Sequence, residues 1–175
     1  MIKLVVIVLV VLLGGFLLFA ATRPDAFRVE RSAAIKASPE KVFAFINDFR
    51  LWSSWSPWEN IDPALKRTYS GAAAGKGAVY AWEGNSKVGS GRMEILDSLP
   101  GSKLVIKLDF FKPFEGHNTA EFTFERKAET TTVSWAMFGP SPYMSKVMGL
   151  VIDMDRMIGG QFEAGLANLK SIAEK

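Results

Sequence analysis

The 18 acidic residues and single histidine of this 175-residue sequence form no recognisable catalytic constellation. Tyr80, Glu83 and Asp153 are the candidates for acid–base work, and Asp155 stands beside the last of them. Carboxylates act as acid or base near neutrality only when burial raises their pKa. Glu83 falls at the end of a predicted strand and Asp153 on a predicted helix, positions from which a side chain reaches either a cavity mouth or solvent. His117 is the single histidine and there is no cysteine, which excludes multi-histidine metal sites, thiolate nucleophiles, cysteine zinc sites and disulfides. Nothing in the sequence marks a partner that would make His117 part of a serine–histidine arrangement. No catalytic set, cofactor or metal is expected.

The larger group of candidates is apolar and aromatic. Trp55 and Trp58 lie in a tryptophan-rich loop. Tyr80, Trp82, Met93, Leu108, Phe110, Phe122, Trp135 and Met137 lie on extended segments, and Val151 and Met154 on a C-terminal helical pattern. Residues of this kind fill ordinary cores, and together they also line sites for hydrophobic small molecules or lipids. Tyrosine and tryptophan add a polar handle that needs a partner when buried. Met144, Met148 and Met157, with Met137 and Met154, add an adaptable apolar surface.

These residues are positioned by elements whose periods are legible. Phe27–Lys36 reads as a first strand. Ser38-Pro39-Glu40-Lys41 reads as an N-cap, a proline at the first helical position and an acid in the first turn, ahead of Val42, Phe43, Phe45 and Ile46. Leu51–Trp58 is predicted as a helical turn and loop. Extended segments then recur over Lys66–Ser70, Ala78–Glu83, Gly91–Leu96, Lys103–Phe111, Thr119–Arg126 and Thr131–Phe138, the spacing of an antiparallel meander. Alternation turns Tyr80, Trp82, Met93, Ile95, Leu104, Ile106, Leu108, Phe110, Phe122, Phe124, Val133, Trp135 and Met137 to one face. Arg92, Glu94, Lys107, Asp109, Glu121, Thr123 and Glu125 fall on a solvated opposite face, as does His117, near a turn. One amphipathic helix over Ser145–Ala173 is expected to cover the apolar face, bent where Gly159 and Gly160 weaken it.

The chain thus divides into residues 1–23, an apolar N-terminal segment, and residues 24–175, one α+β domain. Leu4–Ala21 carries no charge and is long enough for a membrane span. A cleaved signal peptide, with Lys3 as its positive start and Ala20-Ala21-Thr22 as its small-residue site, is the competing reading. Lys3 precedes the segment while Arg23, Arg28 and Arg31 follow it, so topology stays open. The formal net charge is +3, with 21 basic and 18 acidic residues interspersed, which gives no footprint for nucleic acid. Nothing in the sequence defines an oligomeric state.

Ala37-Ser38-Pro39-Glu40-Lys41-Val42-Phe43, Asn47-Asp48 and Trp52-Ser53-Ser54-Trp55-Ser56-Pro57-Trp58 resemble the START-like (SRPBCC) superfamily, and within it bacterial proteins of the polyketide cyclase and dehydrase type. Gly77–Gly84, Gly89–Met93 and Thr131–Trp135 agree, and the resemblance runs from Phe27 to Glu174. It implies a helix-grip fold, a curved antiparallel sheet wrapped around a long C-terminal helix, with an internal cavity for a ligand. The N-terminal apolar run lies outside the family domain; read as a single span, it would sit in the inner membrane that the bacterial resemblance implies, whereas its cleavage would leave the domain periplasmic or secreted. The superfamily includes lipid carriers, hormone receptors and cyclases, so three functions follow as expectations. The first is a membrane-anchored binding domain for a hydrophobic small molecule or lipid. The second is a cyclase or dehydrase using Tyr80, Glu83 or Asp153 as proton carriers, and the third is an interaction domain whose interior is filled by its own side chains.

Overall fold

The computed structural model describes residues 1–175, built around a sheet of seven antiparallel strands. After α1 (Ile2–Ala21) come β1 (Ala26–Ile35) and α2 (Pro39–Asn47), then two 3-10 helices, Phe49–Ser54 and Pro57–Asn60. The meander follows as β2 (Lys66–Gly71), β3 (Ala78–Glu83), β4 (Ser90–Leu99), β5 (Lys103–Lys112), β6 (Gly116–Lys127) and β7 (Thr130–Pro140). The chain closes with α3 (Tyr143–Gly149) and α4 (Met154–Ala173). The strand order β1-β7-β6-β5-β4-β3-β2 places the first strand beside the last. Register shifts at Ser90/Gly91 and Ile95/Asp97 add local twist to the β4–β5 pair.

Local chemistry places the first helix as expected. Ser38 Oγ accepts from the Lys41 amide at 3.3 Å and Pro39 opens α2, whose Val42, Phe43 and Ile46 are buried. Thr131 Oγ1 donates to the Ala37 carbonyl at 2.7 Å, tying the start of α2 to β7. The alternation along β3–β7 buries Tyr80, Met93, Ile95, Leu104, Ile106, Leu108, Phe122, Phe124, Val133, Trp135 and Met137, with Trp82 and Phe110 half-buried. α4 sets Phe162, Leu166, Leu169 and Ala173 into the same core.

Two expectations fail here. The C-terminal segment is two helices, because Gly149 ends α3 and Asp153 Oδ1, accepting from the Arg156 amide at 2.9 Å, caps a fresh start at Met154. Val151 and Met154 therefore lie outside the helix–sheet contact, 77% and 40% exposed. α4 runs continuously through Gly159 and Gly160. Gly159 instead leaves room for the Arg31 guanidinium, whose Nε lies 2.7 Å from Glu163 Oε1 and whose Nη2 lies 2.8 Å from Asp155 Oδ2. That pair of bonds ties α4 to β1.

Asp109, expected on the solvated face, is only 5% exposed. His117 and Lys107 cover its carboxylate, at 2.7 Å from Nδ1 and 3.0 Å from Nζ.

Candidate functional site

An aromatic cluster occupies the space between α4, the sheet and the two 3-10 helices. Trp135 on β7 is its centre, stacked on Phe162 of α4 at 4.2 Å between centroids and on Phe122 of β6 at 4.9 Å. Trp55 and Trp58 meet it edge-on, each at 5.5 Å. Gly165 faces this ring and Pro57, and the missing side chain is what lets α4 approach. Trp52, at 4.9 Å from Trp55, leads through Phe49 to Tyr80, and Tyr80 leads to Trp82 and Phe110. The aromatic candidates named from sequence thus form one continuous run. Met93 stands opposite Tyr80 and Leu108 in the ladders, and Met137 opposite Val29 and Ala120, so these three belong to the same packed core.

Polar partners distinguish the indoles. Trp52 Nε1 donates to the Ile46 carbonyl at 2.9 Å and Trp55 Nε1 to the Phe45 carbonyl at 3.1 Å, both at the end of α2. Trp82 Nε1 donates to the Val88 carbonyl at 3.3 Å. Trp135 Nε1 is buried and has no acceptor. An unpaired buried donor costs about 1–3 kcal/mol, so this N–H is an exception within an otherwise satisfied interior.

The acid–base candidates do not converge. Tyr80 donates its hydroxyl to Glu59 Oε1 at 2.6 Å, and burial, this hydrogen bond and the neighbouring negative charge all push its pKa up. Its proton is held, and Tyr80 acts here as a donor to a carboxylate. Glu83 is exposed at the end of β3, and Asp153 is occupied as the cap of α4.

The polar centre that the sequence did not disclose is Glu59. It is 6% exposed, and its Oε2 receives Arg67 Nε at 2.6 Å while its carbonyl receives Arg67 Nη2 at 2.9 Å. A carboxylate set directly after Trp58 in a tryptophan-rich segment is the signal that marks it. Arg67 and Tyr80 come from β2 and β3, so the triad fixes the second 3-10 helix to that end of the sheet.

Two concavities open on the surface instead. One of about 490 Å³ lies between Arg23 and residues 149–155, and a smaller one of about 210 Å³ between residues 36–38 and 126–129. Val151, Met154 and Asp153 line the first, beside the exit of α1.

A curved antiparallel sheet gripping a C-terminal helix over an aromatic interior is the architecture of a helix-grip domain. The sequence pattern described as polyketide cyclase/dehydrase and lipid transport matches residues 26–174, and the chain belongs to that family. Among solved structures, the di-domain ARO/CYC protein BexL of the BE-7585A biosynthetic pathway is similar at a TM-score of 0.65 and 17% identity, over 90% of this chain and 53% of that one. A structural-genomics protein from Chromobacterium violaceum matches at 0.60 and 15% identity, over 87% and 99%. The Aha1 dimer from Colwellia psychrerythraea matches at 0.59 and 19% identity, over 85% and 96%. At these identities the likeness is one of fold. No protein of curated function matches the sequence.

Proposed function

We propose that the chain is a membrane-anchored binding domain that takes up a hydrophobic small molecule between α4 and the sheet. The observation that carries this is the unpaired Nε1–H of Trp135 at the centre of the aromatic cluster. A guest with a carbonyl or hydroxyl oxygen would satisfy that donor while its apolar body replaces aromatic contacts. Half-buried Trp58, and Trp82 with Phe110 at the far end of the run, are the rings that move to admit it. The family's description, which joins cyclases with lipid transport, agrees with a guest of this class.

The anchor has its own support. All of α1 is exposed except half-exposed Gly14 and buried Ala20, and an exposed apolar helix of 20 residues has the length and composition of a bilayer span. Its end is also fitted to the domain: Ala20 is fully buried, Tyr143 Oη donates to the Leu17 carbonyl at 2.9 Å, and Lys146 Nζ meets Asp25 Oδ1 at 2.6 Å. A signal destined for removal needs no such fit.

The packed interior favours a second reading, in which the domain works through its surface and the aromatic cluster is purely structural. Titration of the full chain in lipid nanodiscs with an anthraquinone, read by quenching of tryptophan emission, separates the two. Binding predicts saturation, and about a fivefold to tenfold weaker affinity in Trp135→Phe, the value of one net hydrogen bond. Unsaturable quenching, identical in both proteins, would favour the second.

A further inference from the structure

We infer that α3 and the loop to α4 lie in the bilayer–water boundary, so that the domain docks on lipid by this segment as well as through α1. The inference rests on the membrane-span reading of α1 and adds a second membrane contact to it. No residue of α3 is buried in the domain, and its packing partner is α1. Around it stands a run of exposed apolar side chains: Met144 at 66%, Val151 at 77%, Ile152 at 39% and Met157 at 54%. Several exposed apolar side chains on one short stretch of chain mark an interaction site.

The occupant follows from depth. Tyr143 Oη bonds to the carbonyl of Leu17, four residues before the end of α1 at Ala21, which at 1.5 Å per residue is about 6 Å inside the span. Interfacial helices bury their apolar faces about 5–10 Å at this boundary, and tyrosine is enriched there. The link from Ala21 to β1 is four residues, Thr22–Asp25, too short to lift the domain away. Ser141 N and Lys146 Nζ both bond to Asp25, so the start of α3 is fixed to that link. Arg23, in the link itself, supplies a cationic group at the exit of α1, beside the acids Asp153 and Asp155.

The chain has no cysteine, so single labels are unambiguous. The environment-sensitive fluorophore NBD is attached to the full chain at Met144→Cys, Val151→Cys, Leu12→Cys or Lys87→Cys, and each protein is reconstituted in phosphatidylethanolamine–phosphatidylglycerol vesicles. Nitroxide-bearing lipids then quench from either the headgroup end or the tail end of the acyl chain. The expected result is blue-shifted emission at 144 and 151, quenched about twice as strongly by the shallow nitroxide as by the deep one, given the 5–10 Å depth of an interfacial helix. Lys87, on the β3–β4 loop, should remain water-like. Quenching of Leu12 by the deep nitroxide with none at 144 and 151 would overturn the inference and leave the span intact. Absence of quenching at Leu12 would overturn the span itself. A blue shift at 151 that grows with protein-to-lipid ratio and resists both nitroxides would overturn the inference in favour of a second copy of the chain.

Discussion

Trp135 and Glu59 show why a residue's role depends on partners far away in sequence. Alternation along β7 is enough to place Trp135 in the core, but whether its N–H finds an acceptor depends on α2, which serves Trp52 and Trp55 and does not reach it. The place of Glu59 after Trp58 is visible in the sequence, but its role is not, because its partners Arg67 and Tyr80 are strand residues brought over it by tertiary folding. Replacing Glu59 with alanine removes the carboxylate that accepts from Arg67 Nε and from the Tyr80 hydroxyl, leaving Arg67 only its backbone carbonyl acceptors. It should cost about 3 kcal/mol, toward the low end for a broken buried pair because Arg67 keeps some solvent contact, as read by urea unfolding of the domain.

His117 gives a test at the same scale. Its hydrogen bond to Asp109 raises its pKa above the ordinary 6.5, despite an opposing effect of burial. Because the folded state holds that proton more tightly, the stabilisation is fully present below 6.5 and is lost as pH rises through the raised value. For Asp109, burial pushes the pKa up but hydrogen bonds from His117 and Lys107 outweigh it, so its net shift is downward. Its contribution is present above the ordinary 3.8 and is lost as pH falls through the lowered value. As the only histidine, His117 is resolved without assignment in an NMR titration. A ring midpoint above 6.5 is expected, and a midpoint at or below it would remove the dyad.

Elements whose burial follows a simple period were the legible ones. β3 to β7 follow the two-residue alternation apart from Asp109 on β5 and Ala136 on β7, and the Ser38-Pro39 start of α2 is a local signal with a local cause. The break between α3 and α4 was hidden because Leu150, Val151 and Ile152 continue an apolar pattern right across it, and periodicity alone cannot distinguish a helix from an apolar loop. Gly159 and Gly160 looked like one weak point, yet the structure gives them different surroundings. The sharper contrast within α4 is between Gly160, with open space around it, and Gly165, which faces the Trp135 and Pro57 rings. Gly160→Ala should stabilise the domain by about 1 kcal/mol through helix preference. Gly165→Ala should destabilise it by about 1–2 kcal/mol through overpacking against rigid rings, with both read from thermal unfolding.

At the scale of the whole molecule, the apolar N-terminal helix and the domain meet at one end, where the Tyr143–Leu17 and Lys146–Asp25 bonds hold α3 against the end of α1. The apolar N-terminal segment and the helix-grip domain were both legible in the sequence, the first from an uncharged run and the second from strand spacing and the α2 motif. Their junction was not, since it depends on α3 turning away from the sheet. Deletion of residues 1–23 should release the chain into the supernatant of an alkaline membrane wash, whereas the intact 19.3 kDa chain stays in the pellet. A shorter mature chain in the pellet-free fraction would instead indicate cleavage of a signal.

The most direct test of the central claim, uptake of a hydrophobic molecule beside Trp135, is native mass spectrometry of the full chain taken from its host membrane in nanodiscs. The expected result is an adduct of constant mass that survives purification and is much depleted in Trp135→Phe. Repeated recovery of the bare chain from both proteins would contradict it.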